Sequence, residues 1–402
     1  MRGQLSCGAW LLCLACWTSL AQAAAPPVVL TEAQLKTVLA SGQPTPLDAL
    51  TPHGKRSFLR AIVWREKGMG GFSGTQLVRE LNAAQIREVL AFFDMAAYAK
   101  AYSENLPGEP LRLPAPSPAL EAQLDRFGRF ANAVREDRAN AANTTSTKQT
   151  RRIADHYEEV FAGAMEKAAL KRRPVGDLPA LFDAAALASN NDPDSQATEH
   201  LLTVHRELSA RGIDTRRTFD DSVLYSLLAA RRFSEARMFV ADRPHLGHRK
   251  IPAVVDTLGQ GFSGRSLYEY DGGTDVLTRR AAPPPAGLEL VMVAGAGCQF
   301  SRNALAALRS DPVLLARLRE ANLKLLTPPR APIPFWYIAE WNAANPTLPL
   351  RVAYDSKEWR VIAEANTPEF FLLKDGKLAG HLVGWPEGGN AAALLAMLDA
   401  AR

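Results

Sequence analysis

Through residues 30–250, apolar positions recur at intervals of three and four, the spacing that fills one face of an α-helix. Thr31-Glu32-Ala33-Gln34 is a capping box, in which the threonine and the glutamine three residues on satisfy each other's backbone N–H. It predicts a helix carrying Leu35, Val38 and Leu39 and stopping at Gly42. Asn82-Ala83-Ala84-Gln85 repeats the signature ahead of Ile86, Val89, Leu90 and Phe93. Residues 111–118 are proline-rich and read as an extended connector; residues 133–150, small and polar, read as a mobile loop. A long amphipathic helix is expected over 152–170. Asp192-Pro193 reads as a cap with proline at the first helical position, opening a helix through Leu201, Leu202 and Leu208 to Gly212.

Residues 219–230 and 234–241, joined at Arg231-Arg232-Phe233, predict a helical hairpin. With Leu227, Leu228, Ala229, Phe233, Ala236 and a Pro244 stop, it weakly resembles a tetratricopeptide-type pair, so an irregular or repeat-like helical array is expected. From Ser266 the period changes to two. Residues 267–270 and 276–278, around Asp271-Gly272-Gly273-Thr274, predict a β-hairpin. Beyond a proline-rich link, strands and helices alternate. The strand 288–293 is apolar almost throughout, as a central position requires. Helices are expected over 303–321, 336–344, 358–365 and 390–400, with further strands at 323–326, 348–354, 369–373 and 378–383. The last two flank Lys374-Asp375-Gly376-Lys377, a tight turn with glycine where a positive φ is needed.

At 402 residues the chain is too long for one core, and its 47% hydrophobic and 22% charged content is that of a globular protein. The net charge of +5 comes from scattered arginines with no basic tract, so nucleic acid is not an expected partner. The N-terminus alters the picture more. Arg2, the apolar run 9–20 and Ala21-Gln22-Ala23 have the layout of a secretory signal cleaved after Ala23. The run is short for a membrane span, and bulky Trp17 after Cys16 does not suit a lipid-attachment site. An exported protein of the bacterial periplasm is expected, soluble after cleavage. Of the four cysteines, Cys7, Cys13 and Cys16 lie in the signal, so the mature chain keeps Cys298 and has no internal disulfide.

Cys298 lies in Gly297-Cys298-Gln299-Phe300-Ser301, where the apolar strand hands over to a helix. A sulfur there faces unpaired N–H groups and the positive end of the helix dipole, which favour the thiolate. Ser301, three residues on, shares its helical face and can donate to it. Thr367-Pro368-Glu369-Phe370-Phe371 follows about seventy residues later. Residues 287–402 resemble a thioredoxin-like domain. The segment 348–365 is similar to the central insertion of exported thiol-disulfide oxidoreductases related to cytochrome c maturation, and the run from Thr367 to Gly384-Trp385 matches most closely. The resemblance implies a cis Thr367–Pro368 bond facing Cys298, with both residues docking substrate backbone. Where that family has a second cysteine, this chain has Ser301; Gly297 replaces its usual tryptophan and Met292 its buried acid. Dithiol turnover is therefore not expected. One-thiol exchange is, through mixed disulfides with exported client proteins, as in Cys-x-x-Ser members of the disulfide isomerase group. A Cys298-linked homodimer is a further expected partner state. Monothiol glutaredoxins share Cys-x-Phe-Ser, but their iron–sulfur chemistry belongs to reducing compartments.

Other signals carry less. The Gly-rich runs 68–74 and 259–264 lack the lysine of a phosphate loop and read as connections. Neither His200 with His205 nor His245 with His248 has the company of a metal site, and neither a metal nor a cofactor is expected. Trp336, Tyr337 and Trp341 read as core or interface. The expected layout is multidomain: a signal peptide at 1–23, an α-helical N-terminal region at 24–130, a linker at 131–150, a helical region at 151–250, and a C-terminal α/β thioredoxin-like domain at 265–402 with its core at 287–402. The competing expectation is a non-catalytic protein-binding scaffold in which Cys298 is a buried apolar residue.

Overall fold

The computed structural model describes residues 28–65, 68–140, 147–259, 261–363 and 365–402. The expected signal, 1–23, lies outside the described residues, as do 141–146 of the expected loop. No described helix is long and apolar enough to cross a membrane.

Both capping boxes form. Thr31 Oγ1 accepts from the Gln34 N–H at 3.2 Å while Gln34 Oε1 accepts from the Thr31 N–H at 3.1 Å, opening the helix Glu32–Ala40. Asn82 and Gln85 do the same for Ala83–Phe92. Ile86, Val89 and Leu90 of that helix join Leu35, Phe58 and Leu77 in an apolar cluster of their own. The glycine run expected only as a connection contributes a strand, β2 (Gly68–Gly71), antiparallel to β1 (Val63–Arg65).

The middle of the chain is helical, with boundaries that differ from expectation for local reasons. The helix Pro118–Asn140 runs into the span read as a linker. The helix expected over 152–170 is instead Thr147–Phe161, a 3₁₀ turn at Ala162–Ala164 and the short helix Lys167–Arg172. Gly163, a poor helix former, sits in the break. Asp192-Pro193 does not open a helix; it closes Asp177–Asn191, and the next helix, Ala197–Ala210, starts later. The proline disfavours helical backbone at Asp192, which sits at φ −140°, ψ 91°. The hairpin forms from Phe219–Ala229 and Phe233–Ala241, turning at Arg231 with φ 59°.

The C-terminal part is built on an eight-stranded sheet ordered β10-β9-β6-β7-β8-β4-β5-β3. β3 (Ala253–Asp256), which the sequence reading did not anticipate, pairs parallel with β5 (Val276–Ala281) at one edge. β4 (Ser266–Asp271) and β5 form the expected hairpin, which extends the sheet through β8 (Leu350–Ala353). β6 (Leu288–Val293) runs parallel to β7 (Lys324–Thr327) and antiparallel to β9 (Glu369–Lys374), which returns as β10 (Lys377–Val383) before the helix Ala391–Ala401. The order β10-β9-β6-β7, one parallel pair and an antiparallel hairpin, is the thioredoxin-like arrangement.

Alternate residues of β6 face opposite layers, as strand geometry requires. Leu290 and Met292 meet the helices, in a core continuous with that of the middle helical region; Val291 and Val293 meet Trp359, Ile362 and Phe371 on the other face. Two helices differ from expectation. Residues 303–321 split into Gln299–Ser310 and Pro312–Glu320, because Asp311 precedes a proline and caps the second helix at the Leu314 N–H, 2.9 Å away. Among the described residues of 358–365, the only helical element is a 3₁₀ turn at Arg360–Ile362. There the side chains pull the backbone away from a helix. Glu358 Oε2 accepts from the Ser266 N–H and Oγ–H at 2.6 Å, and Trp359 Nε1 donates to Ser266 O at 2.6 Å.

Candidate functional site

The carboxyl end of β6 leads through Ala294–Gly297 to Cys298, which caps the helix Gln299–Ser310 with extended backbone (φ −91°, ψ 117°). Its N–H donates to Gly295 O at 3.1 Å and its carbonyl accepts the Arg302 N–H at 3.1 Å, so the residue is fixed at both ends. Arg302 reaches back, donating to Ala296 O at 3.1 Å and to Gln299 Oε1, and closes the loop over itself. The sulfur is half-buried.

The Thr367–Pro368 bond is cis, and the thiol donates to Thr367 O across 2.9 Å. Ser301 lies inward, fully buried, its Oγ accepting the Gly295 N–H at 3.1 Å with its own proton left for the sulfur. The pair Cys298 and Ser301 and the pair Thr367 and Pro368, more than sixty residues apart in sequence, thus meet in one place. Gly295 makes this possible, because a Cβ there would stand 2.8 Å from Thr367 Oγ1. Met292 is fully buried among the helix-facing residues of the sheet.

No family model and no curated protein matches this chain. Among solved structures, a thioredoxin-like protein from Bacteroides caccae ATCC 43185 aligns over 73% of this chain and 100% of its own, at 14% identity and a TM-score of 0.24. The thioredoxin-like arrangement lies in the strand order and connectivity of the chain itself.

The charge state of the sulfur follows from opposing effects. Burial pushes the Cys298 thiol up, since it penalises the charged form. The Ser301 backbone N–H, the Thr367 and Ser301 side chains and the Phe300 backbone N–H together outweigh burial and hold the thiol below its ordinary value. The Thr367 carbonyl acts the other way, since it accepts a bond only from the protonated thiol. Ionisation therefore exchanges one acceptor for several donors.

Residues the sequence reading passed over frame the same loop. Glu369, next after Pro368, is buried, yet Asn366 Nδ2 donates to its Oε1 at 2.9 Å and His381 Nε2 lies 3.2 Å from its Oε2. The His381 ring stacks on Phe371 with centroids 4.6 Å apart. Burial pushes the Glu369 carboxyl up, but His381 and the side chain and backbone N–H of Asn366 hold it below the usual range. A lone acid ahead of Phe-Phe-Leu-Leu was the available signal, because a buried carboxylate needs partners. Phe300 and Trp336 are exposed, at 53% and 66%. Trp341 is buried and donates to Leu348 O at 2.8 Å, a core role.

Proposed function

We propose that this chain is an exported monothiol exchange protein that engages client polypeptides through mixed disulfides at Cys298. One observation carries the proposal: a half-buried sulfur at a helix N-terminus, surrounded by donors that lower its pKa and in contact with the Thr367 carbonyl. The Cys298 thiolate attacks one sulfur of a client disulfide. A new bond to Sγ forms, the client's S–S bond breaks, and the second client sulfur leaves as a thiolate that water protonates. Ser301 stands where a resolving thiol would be. Release therefore comes from a client thiolate or an external thiol attacking the mixed disulfide and restoring Cys298. Ser301 tunes the thiolate, and the backbone of Thr367 and Pro368 receives the client chain. Export is supported by the layout of the first 23 residues. The helical region presents clients or holds a partner, and a Cys298-linked homodimer forms when the thiolate of a second copy attacks Cys298 Sγ of a mixed disulfide and the client sulfur leaves as a thiolate.

The test is the pH dependence of Cys298 alkylation by iodoacetamide in the folded chain. The lowered thiol predicts half-maximal reactivity at a lower pH than for a free cysteine peptide, because more thiolate is present at any pH below its midpoint. In parallel, wild-type protein from an exporting strain should carry disulfide-bound polypeptides that Cys298→Ala lacks. A sulfur that reacts only after denaturation overturns the proposal and leaves a protein-binding scaffold.

A further inference from the structure

Glu369 is an expensive residue at its place. It occupies the first position of β9, paired with Val293 on β6 and Val383 on β10, and four apolar residues follow it. A carboxylate removed from water loses hydration that an aliphatic side chain would not miss, so packing alone gives no reason for it. Its bonds point to the loop. Oε1 holds the Asn366 side chain at 2.9 Å, and Oε2 is backed by His381, the one charge-capable group bonded to it among the described residues. Asn366 precedes Thr367, whose carbonyl meets the thiol and whose side chain packs on Gly295. On the far side, Pro368 O accepts the Gly384 N–H at 2.9 Å. The loop that touches the sulfur is therefore anchored at both ends, once by the backbone that follows β10 and once by this carboxylate.

We infer that Glu369, supported by His381, is a positioning residue for the Cys298 thiol, acting through Asn366 to keep Thr367 against the sulfur. This rests on the exchange reading above. It adds that the reactivity of Cys298 is set from the sheet as well as from its own helix. With the carboxylate gone, Asn366 loses the side chain that holds it, Thr367 moves off Gly295, and the sulfur loses both the Thr367 carbonyl it donates to and the Thr367 side chain; the side chain's hold on the thiol is the larger of the two, so the thiol rises.

The experiment compares pH profiles of Cys298 alkylation by iodoacetamide in the full chain for wild type, Glu369→Ala, Glu369→Gln and Asn366→Ala, with thermal melting alongside. Glu369→Ala should raise the midpoint and slow alkylation several-fold at pH below it. Asn366→Ala should move it in the same direction but less far, because the backbone N–H of residue 366 still donates to Glu369; its side chain is exposed, so it should fold even if Glu369→Ala does not. Glu369→Gln, which can still accept from Asn366, should retain most of the wild-type profile. A purely structural role would lower melting temperatures without moving the midpoint and without rescue by glutamine. If wild type has a low midpoint and both alanine variants keep it, the positioning role is wrong and the exchange reading stands. A wild-type sulfur that reacts only on denaturation overturns both.

Discussion

At the scale of single residues, the sulfur depends on neighbours that are small or polar for definite reasons. Gly295 is one, since it leaves room for Thr367. Gly295→Ala should push Thr367 off the sulfur, raise the midpoint of Cys298 alkylation and destabilise the fold by about 1–3 kcal/mol, the usual cost of overpacking. An unchanged alkylation profile in that variant would show that Thr367 does not tune the thiol. Cys298, Ser301, Thr367 and Pro368 were legible in sequence because each carries a local signal: a thiol where a strand meets a helix, a hydroxyl one turn on, a Thr-Pro opening a strand. Glu369 and His381 were not. Their meeting depends on the β9–β10 register, which sets His381 opposite Phe371 and brings its ring to the carboxylate. No spacing along the chain announces that.

At the scale of elements, the sequence was most informative where side chains bond their own backbone. The capping boxes at Thr31 and Asn82 form as expected because four consecutive residues decide them. It was least informative at 358–365, where helical periodicity loses to contacts across the sheet. Trp359 is fully buried between Val291, Val293 and Phe371, with the Arg265 guanidinium 4.5 Å from its ring centroid. Val291, Val293 and Arg265 lie more than sixty residues away in sequence, outside any window used to read a helix. Trp359→Ala should therefore cost about 3–5 kcal/mol, as removal of a buried aromatic does. Urea unfolding would measure it; a loss under about 1 kcal/mol would mean that this layer is not a well-packed core.

At the scale of the whole molecule, the helical array is fixed to the sheet at the carboxyl ends of its parallel strands, the end that carries the thiol. β6 and β7 are parallel, so the turn after β7 opens on the same side as the loop leading to Cys298. Arg231, at the tip of the hairpin, enters that side. Its guanidinium donates to Ala331 O at 3.0 Å, Tyr354 O at 3.3 Å, Pro328 O at 3.4 Å and Ala353 O at 3.4 Å, and to Leu228 O of its own hairpin at 3.0 Å. Phe233 follows it into the sheet's core, edge-on to Tyr268 at 5.6 Å. A planar fork can serve diverging carbonyls at once, whereas an ammonium is a single point. Arg231→Lys keeps the charge but strands several carbonyls, each worth about 1–3 kcal/mol if left unpaired and dry. Urea denaturation should therefore show a loss on the order of 3 kcal/mol for Arg231→Lys, and about as much for Arg231→Met. The loop 328–334 should also become more readily cleaved by protease at native temperatures, because it would lose the Arg231 bonds and keep, of its attachments to the helical region, the Arg330 pairs with Asp192 and Asp194 and the packing of Ile333. If Arg231→Lys were as stable as wild type, the joint would be held by charge and apolar contact alone. The fixed placement of the helical array at the reactive end of the sheet would then lose its main support.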